Sequence, residues 1–81
     1  MTREQLLDEL TLIARDVFNM PELVLSDSLS ASDVETWTSL TFMQFLTNIE
    51  TKYQFRFKIM ELLCLKNMGA VVDATLNHIN E

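Results

Sequence analysis

Apolar residues recur along this chain at helical intervals in three stretches, separated by two less regular segments. Leu6, Leu10, Ile13 and Val17 are spaced by four, three and four, with Leu7, Ala14 and Phe18 alongside. Residues 3–18 are therefore predicted to form an amphipathic helix with that stripe on a core. Thr2 is its candidate N-cap, and Asp8 and Glu9 fall outside the stripe. A second helix is predicted over residues 39–53, where Leu46, Ile49 and Tyr53 make the core stripe and Leu40, Met43 and Phe45 are also apolar. Phe42 and Met43 fall beside that stripe, so part of this helix is expected to present apolar surface. A last helix is predicted to follow Asn67, a natural N-cap, with Met68, Val72, Thr75 or Leu76, and Ile79 on its inner side. Gly69 in its first turn would let another backbone approach closely.

The intervening segments are of different kinds. Asn19-Met20-Pro21 ends the first helix, because the residue before proline is pushed out of helical geometry. Ser26, Asp27, Ser28, Ser30, Ser32 and Asp33 then give a turn-forming composition through residues 19–38. Loops of that length are usually functional or disordered, and Leu23, Leu25 and Leu29 suggest that this one is pinned to the core. Residues 54–58 alternate like a strand, but the chain offers no second strand to pair with. They are read as a connection anchored by Phe55 and Phe57, leading into a short helix over roughly residues 59–64. The expected fold is all-α: a small four-helix bundle of three main helices plus a short third one, with residues 1–81 forming a single domain.

Composition narrows the possibilities. One glycine and one proline in 81 residues leave few tight turns, and an apolar fraction of 48% argues against disorder. Cys64 is the sole cysteine, so no intramolecular disulfide can form. It lies in an apolar run and is expected to pack in or near the core. There is no basic head followed by an apolar run at the N-terminus, and no apolar segment is long enough to span a bilayer. The chain is expected to be a cytoplasmic monomer without membrane insertion.

The formal net charge is −6, which makes nucleic acid a poor partner. Its distribution says more than its total. Glu4, Asp8, Glu9, Asp16, Glu22, Asp27, Asp33 and Glu35 face only Arg3 and Arg15 before Ser39, whereas acids and bases cancel after it. A basic partner would be steered towards the first half of the chain.

Self-contained catalysis finds no support. The only histidine, His78, lies near the end of the last helix, where it is expected to be solvated and favoured by the helix dipole. The one histidine and the one cysteine lie far apart in sequence and spell out neither a zinc site nor a nucleophilic triad, so no metal ligands and no catalytic residues are assigned. Ser39 has no glycine-flanked nucleophile elbow, and the chain has no glycine-rich phosphate cradle. What remains is Ser39 itself, at the point where an acidic loop gives way to an apolar helix. A hydroxyl at a helix start is exposed, and the N-terminus of the helix favours a phosphate ester there. Serine is also a common capping residue, and a purely structural role stays open at this point.

The run Asp33-Val34-Glu35-Thr36-Trp37-Thr38-Ser39-Leu40, followed by an apolar helix to Glu50 and Tyr53, resembles the attachment motif of acyl carrier proteins. In that family an Asp-Ser-Leu segment opens the second helix and its serine carries 4′-phosphopantetheine. The likeness covers nearly the whole chain. It takes in the first helix, the Leu23/Leu25/Leu29 loop, the Tyr53-to-Phe57 connection and the start of the last helix at Lys66 to Asp73. A tryptophan two residues before the serine also occurs in members of the family.

The resemblance implies a fold of acyl-carrier type, a prosthetic group from coenzyme A on Ser39, and Trp37, Thr38 and Leu40 flanking the attachment point. Leu40, Met43, Phe45, Leu46 and Ile49 would line or border a core that shelters a short acyl chain. Thr41, Phe42, Met43 and Gln44, with Asp33 and Glu35, would meet partner enzymes. Those partners would be a phosphopantetheinyl transferase and the acyl-activating ligase, ketosynthase or acyltransferase of a pathway. The protein would carry a thioester between them and would not itself be an enzyme.

Two departures from the family pattern stand out. Thr38 replaces the aspartate before the serine; it can cap the helix but offers no carboxylate. The second helix, usually acidic, has neutral Thr41, Gln44, Thr47 and Asn48, with only Glu50 and Lys52 charged. A carrier of a specialised biosynthetic pathway is the expectation. The alternative is a carrier-fold interaction module that is never modified, whose apolar second helix binds a partner helix or groove.

Overall fold

Thr2 starts the first helix. Its hydroxyl accepts from the Gln5 amide at 3.1 Å while its own amide donates to the Gln5 side chain at 3.0 Å, so two amides without helical acceptors are satisfied together. The computed structural model describes residues 1–81 as four helices: α1 Arg3–Val17, α2 Ser39–Tyr53, α3 Ile59–Leu62 and α4 Met68–Ile79. The all-α four-helix architecture expected from the pattern is present, and residues 54–58 form a connection and no strand. No helix is long and apolar enough to cross a membrane.

Leu6, Leu10, Ala14 and Phe18 are fully buried, whereas Ile13 and Val17 are half-buried. The inner side of α1 is thus a run of fours, turned slightly from the expected four-three-four stripe, because α2 and α4 both pack on it. α2 contributes Phe45, Leu46 and Ile49, and α4 contributes Met68, Val71, Val72 and Thr75. Phe18 is the C-cap of α1, and Asn19 after it turns the chain away with a left-handed backbone (φ 54°). Tyr53 ties α2 to α1 through a 2.5 Å hydrogen bond from its hydroxyl to Glu9. Burial, reinforced by that bond and by the carboxylate's charge, pushes the Tyr53 pKa well up.

The long loop is pinned, as its leucines suggest. Leu23 and Leu25 are buried and Leu29 half-buried, and Val34 and Trp37 join them in the core. The loop also caps α4. The Met68 amide donates to the Leu29 carbonyl (2.8 Å) and the Gly69 amide to the Asp27 carbonyl (3.0 Å), while Asn67 accepts from the Ala70 amide (2.9 Å). Three of the amides that open α4 are satisfied in this way. Arg3 adds ion pairs to Asp27 at 2.7 Å and Asp73 at 3.0 Å, joining α1, the loop and α4 at one end. They are exposed, so they orient more than they stabilise.

Two expectations are corrected around α3. Cys64 is exposed, not packed in or near the core. α3 is a single turn with no buried residue, shorter than the expected 59–64. Buried Phe57 and Leu65 anchor the segment at its two ends, and the apolar residues between them make one turn outside the core.

His78 is a third correction. It is not solvated: its side chain is 9% exposed, it stacks on Phe55 at 4.5 Å, and its Nε2 lies 2.8 Å from Glu61. Partial burial works against the Glu61 carboxylate. The hydrogen bonds from the Lys58 amide and His78 outweigh that, and hold its pKa below the ordinary value.

Gly69 sits where the loop backbone crosses α4. A Cβ there would lie 3.0 Å from both the Asp27 carbonyl oxygen and the Asp27 Cβ. The carbonyl is held by the Gly69 amide and the side chain by Arg3, so neither gives way freely. Gly69→Ala gains about 1 kcal/mol of helix propensity but incurs about 1–3 kcal/mol of overpacking. Urea unfolding should therefore show a net loss of about 1 kcal/mol, and a gain in stability would contradict the close crossing.

Candidate functional site

The approach to α2 is fixed by Trp37. Its amide closes a turn onto the Val34 carbonyl at 3.0 Å. Its ring is buried between Phe18 at the end of α1 (centroids 5.4 Å apart) and Phe42 in the first turn of α2 (5.2 Å). Phe18 packs in turn on Phe45 at 5.4 Å. With the tryptophan facing inward, the next two residues emerge at the surface, and both Thr38 and Ser39 are exposed.

Thr38 is the N-cap, with extended backbone (φ −106°, ψ 174°). Its hydroxyl accepts from the Thr41 amide at 3.2 Å, and its amide donates to the Thr41 hydroxyl at 2.8 Å. The Thr41 hydroxyl donates onward to the Thr36 carbonyl at 2.7 Å. Threonine here plays the part that glutamate or glutamine usually takes in a capping box. Thr41, expected among the residues meeting partners, is half-buried and has its hydroxyl committed to this cap. The Thr-x-x-Thr spacing was the available signal for that role.

Ser39 is then the first residue of α2, and its hydroxyl takes no part in the cap. The amides of Ser39 and Leu40 have no carbonyl one turn earlier to accept from them. The first turn of α2 carries no acidic residue that would repel an anion. Beside Ser39 lies an open recess of about 540 Å³, lined by Ala31, Trp37, Thr38, Phe42, Leu65 and Lys66 as well as the serine. The recess joins the start of α2 to the segment between α3 and α4.

The other candidate residues divide by face. Phe45, Leu46 and Ile49 are buried in the common core, as expected for an interior wall. Leu40 and Met43 do not line or border that core: they are 69% and 54% exposed. At about 100° per residue, Leu40 lies about 175° from the centre of the buried stripe and Met43 about 115° from it. Leu40, Met43, Gln44 and Thr47 therefore form an outward face with no charge, next to Ser39. Phe42 is half-buried, stacked on Trp37 and lining the recess. Asp33 accepts from the Ser30 amide at 3.0 Å and so shapes its own turn, while Glu35 is exposed.

No protein-family model matches the chain, and no curated protein matches it. Among solved structures it is similar to the solution NMR structure of a holo acyl carrier protein from Geobacter metallireducens. The two share 38% identity at a TM-score of 0.83, over 88% of this chain and 82% of that one. The chain belongs to the acyl carrier protein family. It is a carrier and not an enzyme.

The capping box of this acyl carrier protein can be tested directly. Thr38→Ala removes the acceptor for the Thr41 amide, and should lower stability by about 1 kcal/mol in thermal or urea unfolding. Thr38→Asp, which still caps, should cost far less; equal losses would show that the hydroxyl bond contributes nothing.

Proposed function

We propose that this chain works as a carrier whose Ser39 bears 4′-phosphopantetheine, in a specialised biosynthetic pathway of the cytoplasm. The observation that carries the reading is Ser39 itself. It is an exposed hydroxyl left out of the cap, at the first position of a helix whose first two amides are unpaired and whose first turn lacks acids. A phosphate ester suits that place. The similar structure from Geobacter metallireducens is of a holo carrier, which supports the presence of a prosthetic group.

In the proposed modification a phosphopantetheinyl transferase supplies the base. The Ser39 oxygen forms a bond to the phosphorus next to the pantetheine of coenzyme A, the pyrophosphate P–O bond breaks, and adenosine 3′,5′-bisphosphate leaves with the serine proton lost to the base. The group then supplies a thiol on which an acyl chain is held as a thioester. This chain's own residues position and expose it. Trp37 fixes the start of α2, and Thr38 and Thr41 lock the first turn. Phe45, Leu46 and Ile49 form the interior wall. They are close-packed, so a sheltered acyl chain has to part them.

The docking face distinguishes this carrier. Leu40, Met43 and Gln44 would meet a pathway's ligase, ketosynthase or acyltransferase through apolar and neutral contacts. Phe42 contributes at the recess, and Glu35 and Asp33 offer charge only on the approach to Ser39. Enzymes that grip an acidic second helix with basic residues find no such charge here.

Intact mass after incubation with coenzyme A and a broad-specificity transferase tests the assignment. One phosphopantetheine should be gained by the wild type and none by Ser39→Ala. Failure with every transferase, including that of the source organism, would favour an unmodified interaction module that uses the same apolar face. The loaded protein should also be turned over poorly by general fatty-acid enzymes; efficient turnover would remove the specialised pathway.

A further inference from the structure

The recess beside Ser39 is chemically two-sided. Trp37, Phe42 and Leu65 give it apolar walls, and Lys66 is the one ionisable side chain that lines it. Lys66 enters no ion pair, whereas Arg3 is held by two aspartates and Lys52 lies 3.9 Å from Glu9. Its place is nonetheless fixed. Leu65 on one side is buried, Asn67 on the other caps α4, and the Lys66 amide donates to the Cys64 carbonyl at 2.9 Å. An unpaired cation on an anchored backbone thus shares a recess with an uncommitted serine hydroxyl.

We infer that Lys66 is a positioning residue for the phosphate that modification leaves on Ser39. The inference rests on the reading of Ser39 as the attachment point. A phosphodiester on the serine adds a negative charge at the mouth of the recess, where the only cation lining it is Lys66. A charge-assisted contact between the two is stronger than a neutral hydrogen bond. The apolar walls then match the dimethyl-bearing part of the arm that follows the phosphate. Lys66 lies across the recess from α2, so the contact ties the base of the arm to the segment between α3 and α4. This tie is in a solvent-open place, so salt weakens it. Trp37, Phe42 and Leu65 are unaffected by salt and hold the apolar portion alone at high ionic strength.

The test uses the modified full-length protein as wild type, Lys66→Gln and Lys66→Arg, with the mass gain confirmed for each. The phosphorus NMR resonance of the phosphodiester is recorded at low and high salt. At low salt the wild-type and Lys66→Arg resonances should lie apart from that of free phosphopantetheine, and should move towards it as salt rises. Lys66→Gln should start near the free position and respond little to salt. The unmodified proteins should unfold alike, since Lys66 is exposed and unpaired, while modification should stabilise Lys66→Gln less than the wild type. Identical resonances and salt responses in all three loaded proteins would overturn the role of Lys66 and leave the attachment at Ser39 standing. No mass gain in the wild type would instead defeat the attachment reading, and this inference with it. If Lys66→Gln alone failed to load, Lys66→Arg would have to load and reproduce the wild-type spectrum, or the inference falls.

Discussion

Trp37 is sandwiched between a phenylalanine that ends one helix and a phenylalanine that begins the next, and the rest of the molecule depends on that stack. Each aromatic pair adds about 0.5–1.5 kcal/mol beyond the area it buries. The larger effect is geometric. The loop between α1 and α2 has no secondary structure to fix its far end, yet α2 must start at a defined place and angle. The indole supplies that fixed point, and the capping box of Thr38 and Thr41 takes over one residue later. Ser39 faces outward because Trp37 faces inward.

The same loop is held at its middle by a different kind of contact. There the backbone carbonyls of Asp27 and Leu29 serve α4 as a cap, through a crossing that only a residue without a Cβ accommodates freely. The loop is therefore a structural partner of both α2 and α4. In a chain this short, a segment that buried nothing would cost ordering entropy with little return. Leu23, Leu25, Val34 and Trp37 let the loop contribute to the core it spans.

Much of this was legible in the sequence because it rests on local spacing. The start and end of α2, the Asn67 cap, the anchoring leucines and the close approach at Gly69 all follow from periodicity and residue chemistry. The features that were not legible depend on a partner far away in the chain. His78 reads as a solvated helix-end residue until Phe55 and Glu61 are brought against it. Cys64 reads as core because its neighbours are apolar, but Phe57 and Leu65 occupy the core positions on either side and push the intervening turn outward. At the candidate site the position of Ser39 was readable from its motif. Exposed apolar surface at Met43 was expected, whereas the outward turn of Leu40 needed the true centre of the buried stripe, which Phe45 shifts away from it.

The exposed turn of α3 also bears on how the fold breathes. None of its residues is buried, and its ends are held by Phe57 and Leu65, with Glu61 and His78 as its polar link to α4. Opening that turn exposes little new apolar surface and breaks few contacts, so its free energy lies well below that of global unfolding. α1 is different, since losing its buried face dissolves the common core. The protein is thus a three-helix frame that carries one weakly held turn. That turn borders the segment that lines the recess beside Ser39, so a readily opened element lies close to the candidate site.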